Sequence, residues 1–209
     1  MRGRGVVVLA GGGSVRMGGV NKAFLSLQGK PLLRWVVEGA LGAAGKVVVV
    51  LSKSSPEGPY RRILPATVSL GRDAVEGGGP IAGLAAGIRS LKVEYVAVLP
   101  CDVPFVNPQV LGLLFQEAEG RASEAVIPRW PNGYREPLHA VYRSQPTLPA
   151  AEEALAQGEY SMLDVVKRLE HVYYLPVDQI RNFDPQLRGF FNINTPQDLE
   201  KAACLLKKG

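Results

Sequence analysis

Short runs of consecutive apolar, mostly β-branched residues alternate with stretches that carry helix-start signals, and this alternation constrains the fold most. Four runs predict strands, namely Val6–Ala10, Lys46–Ser52, Tyr95–Pro100 and Ala125–Pro128. Strands that are apolar along their whole length, and not at every second residue, are typical of a sheet covered on both faces. The sequence therefore predicts a doubly wound α/β fold with a mostly parallel sheet.

Helix-start signals fall between and after these strands. A proline at a first helical position, or a Ser, Thr or Asn that can cap the first turn, marks the start of each helix except the one near Ala150–Ala156. The predicted helices are Pro31 to about Ala44, Ile81–Leu91 opened by Pro80, Asn107-Pro108 to about Glu119, a segment near Ala150–Ala156, Ser161–Leu169 with a capping box to Asp164, and a C-terminal helix from Thr195-Pro196.

Composition argues against several classes of protein. With only Cys101 and Cys204, no disulfide framework is predicted, which fits a cytoplasmic protein. The apolar runs are far shorter than a membrane span, and Met1–Gly5 lack the features of a signal peptide, so no membrane association is expected. The net charge of +5 is scattered, which disfavours nucleic acid and suits either an anionic ligand or a solvated basic surface.

A glycine-rich loop follows the first predicted strand and is the most informative stretch. Residues 11–19 read GGGSVRMGG, and Lys22 lies just beyond them. Gly11, Gly12 and Gly13 let the backbone approach a ligand and point N–H groups at phosphate oxygens, while Arg16 and Lys22 add two cations. Because ligands bind at the carboxyl ends of such strands, we predict a nucleoside triphosphate site here. A flexible glycine-rich turn is the alternative.

Two better-known glycine loops do not fit this sequence. A P-loop needs Gly-Lys followed by Ser or Thr, whereas Lys22 follows Asn21. The dinucleotide fingerprint needs a glycine at its sixth position, which is Arg16 when the count starts at Gly11. Ser14 has no neighbouring base, so nucleophilic hydrolysis is not indicated.

The chain of 209 residues is predicted to form one domain, since it has neither a linker nor an internal repeat. Strand–helix alternation is regular through residue 128, so 1–128 is interpreted as the nucleotide-binding half. Residues 129–209 are less regular, with a short predicted strand at Leu138–Arg143, and are interpreted as the half that binds a second substrate.

Asp102 follows the predicted strand Tyr95–Pro100, at the edge where the glycine loop lies. Mg²⁺ on a triphosphate usually takes one or two carboxylates plus phosphate oxygens, so Asp102 alone would be a sufficient anchor. A turn or N-cap aspartate is the alternative. Asp73 is acceptor-only and could read the N–H donors on the pairing edge of guanine, or serve as a turn residue.

Asn192 and Asn194 lie two residues apart at a predicted strand end, so their side chains would share one face. They could complete the metal shell, bind the acceptor, or simply end the strand. Arg135 and Arg143 are further candidates for the acceptor site. His139 alone makes no metal site and is interpreted as a buried, hydrogen-bonded structural histidine.

Six stretches together resemble the molybdenum cofactor guanylyltransferase family, MobA, in family order from residue 9 to residue 196. They are LAGG at 9–12, RMGGVNK at 16–22, GPIAG at 79–83, PCDVPF at 100–105, EPLHAVY at 136–142 and FNINTP at 191–196. The glycine loop alone would indicate only the wider nucleotidyltransferase superfamily with its Rossmann-like fold. The EPLHAVY and NINTP stretches narrow the resemblance to this family.

This resemblance implies transfer of GMP from GTP to the terminal phosphate of molybdopterin, loaded with molybdenum or tungsten, with Mg²⁺ as cofactor. Other cofactor-maturation proteins would be further partners. The resemblance also implies that Leu9, Ala10 and Gly11 contact the nucleotide, that Lys22 binds its phosphates, and that Asp73 and Asp102 contact it as well. Further candidate binding residues are Gly12, Gly13, Gly79, Pro80, Asn192 and Asn194. Lys22, Arg16 and Asp102 would be the catalytic groups, with the metal on Asp102.

Two departures from the family pattern keep alternatives open. Asn21 stands where the family usually has Asp, and Ser52-Lys53 stands where relatives tend to have an asparagine near the base. The alternatives are another base such as CTP, another acceptor, or a non-catalytic nucleotide-binding module that regulates molybdoenzyme maturation.

Overall fold

A seven-stranded sheet runs through the centre of the molecule. The computed structural model describes residues 3–11, 15–17, 20–75 and 77–207, with the backbone alone at 15–17 and 20. The strands are β1 (Arg4–Leu9), β2 (Val15–Met17), β3 (Val20–Asn21), β4 (Ser26–Leu27), β5 (Lys30–Pro31), β6 (Val47–Leu51), β7 (Ser69–Arg72), β8 (Tyr95–Pro100), β9 (Ala125–Arg129), β10 (Ala140–Arg143) and β11 (Val172–Pro176).

The sheet has the order β11-β9-β10-β8-β1-β6-β7, and β2-β3 and β4-β5 form two small hairpins beside it. β10 pairs antiparallel with both of its neighbours, whereas the other pairings in the sheet are parallel. The chain builds outward from β1 to β6 and β7, and then returns to place β8 on the other side of β1. This reversal creates a switch point at the carboxyl ends of β1 and β8.

Helices cover both faces of the sheet. They are α1 (Leu32–Leu41), α2 (Glu57–Ile63), α3 (Gly79–Leu91), α4 (Pro108–Gly120), α5 (Ser144–Ala156), α6 (Met162–Val166), α7 (Val177–Ile180) and α8 (Pro196–Lys207). Val6 and Val8 pack with α1 and α4 on one face, whereas Val7 packs with α3 and α5 on the other. Alternate residues of one strand thus enter two cores, which confirms the predicted doubly wound α/β fold.

The differences from the predicted elements have local causes. β7 and β11 were not predicted. Ser-Leu-Gly-Arg is too polar to indicate a strand, so the pairing of β7 with β6 makes it one, whereas Val-Tyr-Tyr-Leu in β11 has a strand-favouring composition that was overlooked in the less regular second half. Helix α5 begins six residues before the predicted start at Ala150, since the helix tolerates Pro149 in its interior. Residues 191–194 are irregular, so the predicted strand before Asn192 and Asn194 is wrong.

Candidate active site

A cavity of about 230 Å³ opens at the carboxyl ends of β1, β6 and β8. We call it the Lys22 cavity. Seven residues predicted from the sequence to bind ligand line it, namely Leu9, Gly11, Lys22, Asp73, Gly79, Pro80 and Asp102. They come from separate segments of the chain, and the switch point of the sheet brings them together.

Lys22 is the centre of a polar cluster in this cavity. Its Nζ lies 3.1 Å from Oδ2 of Asp102 and donates to Oδ1 of Asn194 at 2.6 Å. The side chains of Lys22 and Asp102 are only 11% and 17% exposed. The other carboxylate oxygen, Oδ1 of Asp102, is buried and has no hydrogen-bond partner in the described structure. A buried carboxylate oxygen without a donor is destabilising unless a ligand or cation satisfies it.

A backbone contact fixes Asp102 relative to the C-terminal part of the chain. The N–H of Ile193 donates to the Asp102 carbonyl at 2.9 Å, which brings residues 192–194 to the end of β8. Asn194 therefore reaches Lys22, whereas Asn192 donates to the Phe190 carbonyl at 3.1 Å and lines a neighbouring cavity. The two asparagines take separate positions on either side of Asp102.

Asn21 holds the turn that carries Lys22. Its Oδ1 accepts from the N–H of Ala23 at 3.0 Å and so caps the 3₁₀ turn Lys22–Phe24. Its Nδ2 donates to the hydroxyl of Tyr60 at 2.9 Å, and Tyr60 is itself buried against Phe24. The residue that departs from the family pattern is thus a cap that fixes the position of the lysine.

The backbone at Gly11 approaches β6 too closely for any side chain. A Cβ at this position would lie 2.5 Å from the backbone nitrogen of Ser52. The preceding Ala10 donates to the Val50 carbonyl at 2.9 Å, and its side chain is buried in the core, away from the residues that line the cavity. The predicted contacts of Gly12 and Gly13, and of the Arg16 side chain, lie outside the described residues.

Helix α3 begins at the cavity and directs its positive end there. Gly83 and Gly87 lie so close to β1 that a Cβ would be 2.6 Å from Leu9 and 2.5 Å from Val7. This close packing brings Gly79 and Pro80, in the first turn, to the cavity wall. Anions are stabilised at such a position by the partial positive charge of the helix N-terminus.

Asp73 lies across the cavity, just after β7. Its Oδ1 accepts from the backbone N–H of Lys53 at 3.0 Å, and its own N–H donates to the Leu51 carbonyl at 3.0 Å. Arg72 donates to the carbonyls of Lys53 and Ser55, which secures the same loop. The carboxylate is therefore held between two strand ends, in a position to meet a ligand in the cavity.

A second cavity, of about 250 Å³, adjoins the first. We call it the Glu136 cavity. It shares Pro100, Asp102 and Leu138 with the Lys22 cavity, so Asp102 belongs to both. Its remaining walls come from Val103, Tyr134, Glu136, Pro137, His139, Phe190 and Asn192. Two substrates that occupied the two cavities would meet at Asp102.

Glu136 brings an acidic group to walls that are mostly apolar. Its Oε1 accepts from Trp130 Nε1 at 2.8 Å. Burial raises the pKa of the Glu136 carboxyl above its usual value, and the hydrogen bond from Trp130 partly opposes that rise. Glu136 was given no role from the sequence, although a glutamate at the start of the mostly apolar stretch EPLHAVY was the available signal.

His139 is buried, as predicted, but the predicted hydrogen bonding is wrong. It is 3% exposed, and neither ring nitrogen has a hydrogen-bond partner in the described structure. Burial lowers its pKa from 6.5 to about 4, and the nearby Asp184 opposes this only weakly. The imidazole is therefore neutral near pH 7, and it packs against the ring of Phe190 at a centroid distance of 4.8 Å.

The two arginines considered for the acceptor site lie outside both cavities. Arg143 pairs with Tyr95 because β10 runs antiparallel to β8, which puts it at the opposite end of the sheet from Pro100, roughly 17 Å away. It contacts Glu94 there, at 3.4 Å. Arg135 is exposed, with its guanidinium over the ring of Tyr174. Neither lines the site.

No group of three or more His, Cys, Asp or Glu side chains in the described ranges could hold a metal ion by itself. A metal at Asp102 would therefore need oxygens from a bound ligand, as expected for a cation that binds with a triphosphate. The described part of the chain also contains no helix that is both long and apolar enough to cross a membrane.

The mostly parallel sheet, the cavity at its switch point and the partly buried Lys22–Asp102 pair together define an α/β protein of the nucleotide-binding class. The chain belongs to the MobA-like NTP transferase domain family, which it matches over residues 6–172. It is therefore a nucleotidyltransferase, and the recognition made from the sequence is confirmed. Proteins of this kind generally use a divalent metal.

Named relatives extend over nearly the whole chain. A probable molybdenum cofactor guanylyltransferase of Methanosarcina mazei is 38% identical over 94% of this chain and 88% of its own. The corresponding protein of Natronomonas pharaonis is 34% identical over 94% and 95%.

Solved structures agree with this assignment. The molybdopterin-guanine dinucleotide biosynthesis protein A of Archaeoglobus fulgidus superimposes with a TM-score of 0.81 and 34% identity, covering 98% of this chain and 100% of that one. The 2-C-methyl-D-erythritol 4-phosphate cytidylyltransferase of Thermus thermophilus has a TM-score of 0.69 at 19% identity, with 99% and 100% covered, and shares the fold.

Proposed function

We propose that this nucleotidyltransferase transfers GMP from GTP to the terminal phosphate of molybdopterin, which yields the guanine dinucleotide cofactor and pyrophosphate. The observation that carries the proposal is the pair of adjoining cavities that share Asp102. The names of the relatives, guanylyltransferases of the molybdenum cofactor, support the choice of both substrates. Residues 1–128 would supply most of the nucleotide site, and 129–209 most of the acceptor site.

The proposed reaction is a displacement at phosphorus. An oxygen of the acceptor phosphate forms a bond to the α-phosphorus of GTP, and the bond from that phosphorus to the bridging oxygen breaks, so that pyrophosphate leaves. A phosphate monoester with a second pKa near 6 is mostly dianionic at neutral pH, so the acceptor needs no general base. His139 would be unsuited to that task, because both of its nitrogens are buried.

The main difficulty of the reaction is to bring two polyanions together. Lys22 and Arg16 would neutralise the triphosphate, and the first turn of α3 would add its partial positive charge. Lys22 is held by Asp102 and Asn194, which keeps its ammonium group in the cavity. When a nucleotide binds, this ammonium group can exchange its present partners for phosphate oxygens without a large movement.

The residues present fit a divalent cation, Mg²⁺ in this proposal. The buried Oδ1 of Asp102 lacks a partner, and a cation that also binds the triphosphate would satisfy it. Bound there, the metal would supply positive charge to the phosphates of the nucleotide. Asp102 would act as its protein anchor, with Lys22 and Asn194 beside it.

Guanine selectivity is assigned to the wall that contains Asp73. Its carboxylate can accept hydrogen bonds from the N–H donors of guanine, whereas cytosine presents fewer donors on its pairing edge. The N–H of Lys53 holds one oxygen of Asp73, which orients the group. Gly11 would leave room for the nucleotide at the same wall, since its backbone lies directly against β6.

A non-catalytic regulatory module is disfavoured by the position of Asn21. The replacement of Asp by Asn was the feature that favoured such a module. Asn21, however, caps the turn of Lys22 and donates to Tyr60, which gives the asparagine a structural role that does not require a loss of catalysis. Lys22 and Asp102 are also both present and paired.

The test is pyrophosphate release by the purified protein with Mg²⁺ and molybdopterin, in parallel reactions with GTP, CTP and ATP. We expect release with GTP, and at least about tenfold less with either other nucleotide, because an unpaired polar group in the base site disfavours them. Release that is fastest with CTP would overturn the guanine assignment while leaving the transferase class intact. GTP binding without any release would overturn the proposed reaction in favour of the regulatory module.

A further inference from the structure

We infer that the Glu136 cavity binds the heterocyclic head of the acceptor, and that the Glu136 carboxylate selects a ring edge that carries an amino group beside a ring N–H. This inference rests on the proposed function, since it takes the Glu136 cavity as the acceptor site. It goes further by assigning one residue to the recognition of the ring itself.

The hydrogen bonds of Glu136 leave one oxygen available. Trp130 donates to Oε1, whereas Oε2 has no hydrogen bond in the described part of the chain. The residue is half-buried at the wall of the cavity. A carboxylate removed from water and only partly satisfied gains most from a ligand that brings N–H donors.

The backbone around Glu136 is rigid, so the carboxylate is pre-organised. The N–H of Glu136 donates to the Pro128 carbonyl at 3.0 Å, and its own carbonyl accepts from the N–H of His139 at 3.0 Å. The buried hydroxyl of Tyr142 donates to the Pro137 carbonyl at 2.7 Å. These bonds anchor the turn to β9 and β10, and little freedom remains to be lost when a ligand binds.

The other walls suit a flat ring. Phe190 packs edge-on against Trp130, at a centroid distance of 5.8 Å, and contacts His139 on another side. Tyr134 also lines the cavity and is 60% exposed, so its ring is accessible to a ligand. Aromatic and apolar walls with one oriented polar group are typical of sites that bind heterocycles.

The location of the cavity fits a ligand with a ring at one end and a phosphate at the other. Asp102 and Pro100 form the boundary with the Lys22 cavity, while Glu136 belongs to the second cavity alone. A ring held at Glu136 would therefore direct its phosphate-bearing arm towards Asp102, where the nucleotide phosphates are expected.

Two simple ring compounds isolate the proposed contact. Pterin carries an amino group at C2, beside the ring N3–H, where lumazine carries a carbonyl oxygen; lumazine also has an N–H at N1 that pterin lacks, and the rest of the two rings is the same. A carboxylate accepts hydrogen bonds and cannot donate, so it attracts the first group and repels the second. The side-chain amide of the variant Glu136→Gln would keep an acceptor oxygen for Trp130 and present an N–H₂ donor that a carbonyl can use.

The experiment measures the dissociation constants of pterin and lumazine by equilibrium dialysis at pH 7 for the wild type and for Glu136→Gln. We expect the wild type to bind pterin at least about tenfold more tightly than lumazine, and the variant to reduce this ratio to about one or reverse it. The matched control is Glu152→Gln, which should keep the wild-type ratio. Glu152 is a surface glutamate that pairs with Arg89 and lines neither cavity.

A second variant guards against a folding defect in Glu136→Gln. Tyr134→Ala removes an exposed ring and should weaken the binding of both compounds equally, by roughly three- to tenfold, without changing their ratio. Equal affinities of wild type for pterin and lumazine would overturn the role of Glu136. An unchanged ratio in Glu136→Gln would overturn it as well.

The outcome can be separated from that of the proposed function. Transfer of GMP to molybdopterin with an unchanged KM in Glu136→Gln would overturn the ring assignment and leave the proposed reaction intact. Absence of transfer in the wild type, together with a tenfold preference for pterin, would overturn the proposed reaction but support the assignment of the ring site.

Discussion

The Lys22 cavity and the Glu136 cavity adjoin each other, but they are built in different ways. In the Lys22 cavity Gly11, Asp73 and Asp102 lie just after the strands β1, β7 and β8, and Lys22 follows the hairpin strand β3. The backbone of Gly11 lies directly against that of Ser52, just after β6. In the Glu136 cavity the walls come from a turn before β10 and from an irregular segment near Phe190. The first cavity contains the ammonium group of Lys22 with the carboxylates of Asp73 and Asp102, whereas the described walls of the second contain the carboxylates of Glu136 and Asp102 and no Lys or Arg.

This difference suits two different tasks. A nucleotide is recognised mainly by its phosphates, and a fixed backbone with cations can bind these whatever base is attached. The acceptor has to be recognised by its ring, which calls for shape and a few oriented polar groups. The shared Asp102 is where the two requirements meet, so its loss should damage function most.

The largest expected effect is on catalysis, from Asp102→Asn. The change removes the charge that pairs with Lys22 and would anchor the metal, so kcat should fall roughly 10²–10³-fold. Lys22→Ala should give a loss of the same order, measured as pyrophosphate release in the presence of GTP and molybdopterin.

Asp178→Asn is the matched control, because Asp178 is exposed and pairs only with Arg181 of its own segment. It should keep wild-type kcat, and circular dichroism should show all three variants folded. Near-full activity in both site variants would contradict the assignment of the Lys22 cavity as the catalytic centre.

The second effect concerns the backbone of the Lys22 cavity. In Gly11→Ala the new Cβ would meet the backbone of Ser52 at 2.5 Å, and neither strand can move freely, so we expect unfolding free energy to fall by about 2 kcal/mol. In Gly83→Ala the Cβ would meet only the end of the Leu9 side chain, which can rotate, so a loss below about 1 kcal/mol is expected.

Urea unfolding of these variants checks the comparison, with Gly58→Ala as control. Gly58 lies in α2 with open space around it, so its replacement should be neutral or stabilising by roughly 0.5 kcal/mol. If Gly11→Ala were as stable as Gly58→Ala, the close approach of the backbone would not shape the first cavity.

The third effect is on the pH dependence of stability and concerns the Glu136 cavity. The pKa of His139 is lowered by burial to about 4 in the folded protein, against an ordinary value of 6.5. The unfolded chain therefore binds a proton between these values that the folded chain does not, so stability is complete above about pH 7 and falls as the pH drops towards 4. At about pH 4.5 the loss is roughly 2 kcal/mol.

His139→Leu should remove this share of the pH dependence, measured as the difference in unfolding free energy between about pH 7 and about pH 4.5. His171→Gln, at the exposed histidine, controls for the removal of a histidine from the surface and should keep the wild-type difference. An equal pH dependence in wild type and His139→Leu would show that the imidazole is not held in its neutral form.

The same contrast explains what could be predicted from the sequence. Asp102 was found because it follows a predicted parallel strand, and such strands end at one edge of the sheet. Lys22 was found because it lies just beyond the glycine-rich loop, and Asp73 because of its acceptor chemistry and the family resemblance, since β7 itself was not predicted. The Glu136 cavity was missed because its groups meet only through the antiparallel β10 and the contact of Ile193 with Asp102. Arg143 was misassigned for the same reason, since the direction of β10 decides at which end of the sheet it lies.

The smallest effect tests whether Asn21 serves the Lys22 cavity as a cap. In Asn21→Asp the carboxylate can still accept from the N–H of Ala23, and the Tyr60 hydroxyl can turn to donate to it. We therefore expect kcat for GMP transfer within about threefold of wild type.

Asn21→Ala loses the cap, and should lower the unfolding free energy by about 1 kcal/mol and raise the KM for GTP as Lys22 becomes less fixed. Asn132→Ala is the control for the loss of a side-chain acceptor elsewhere in the chain. It removes the bond from the N–H of Tyr134 to Oδ1 of Asn132 in an exposed turn. If Asn21→Asp gained activity by tenfold or more, the asparagine would be a catalytic deficit and not a cap, and the regulatory module would regain its support.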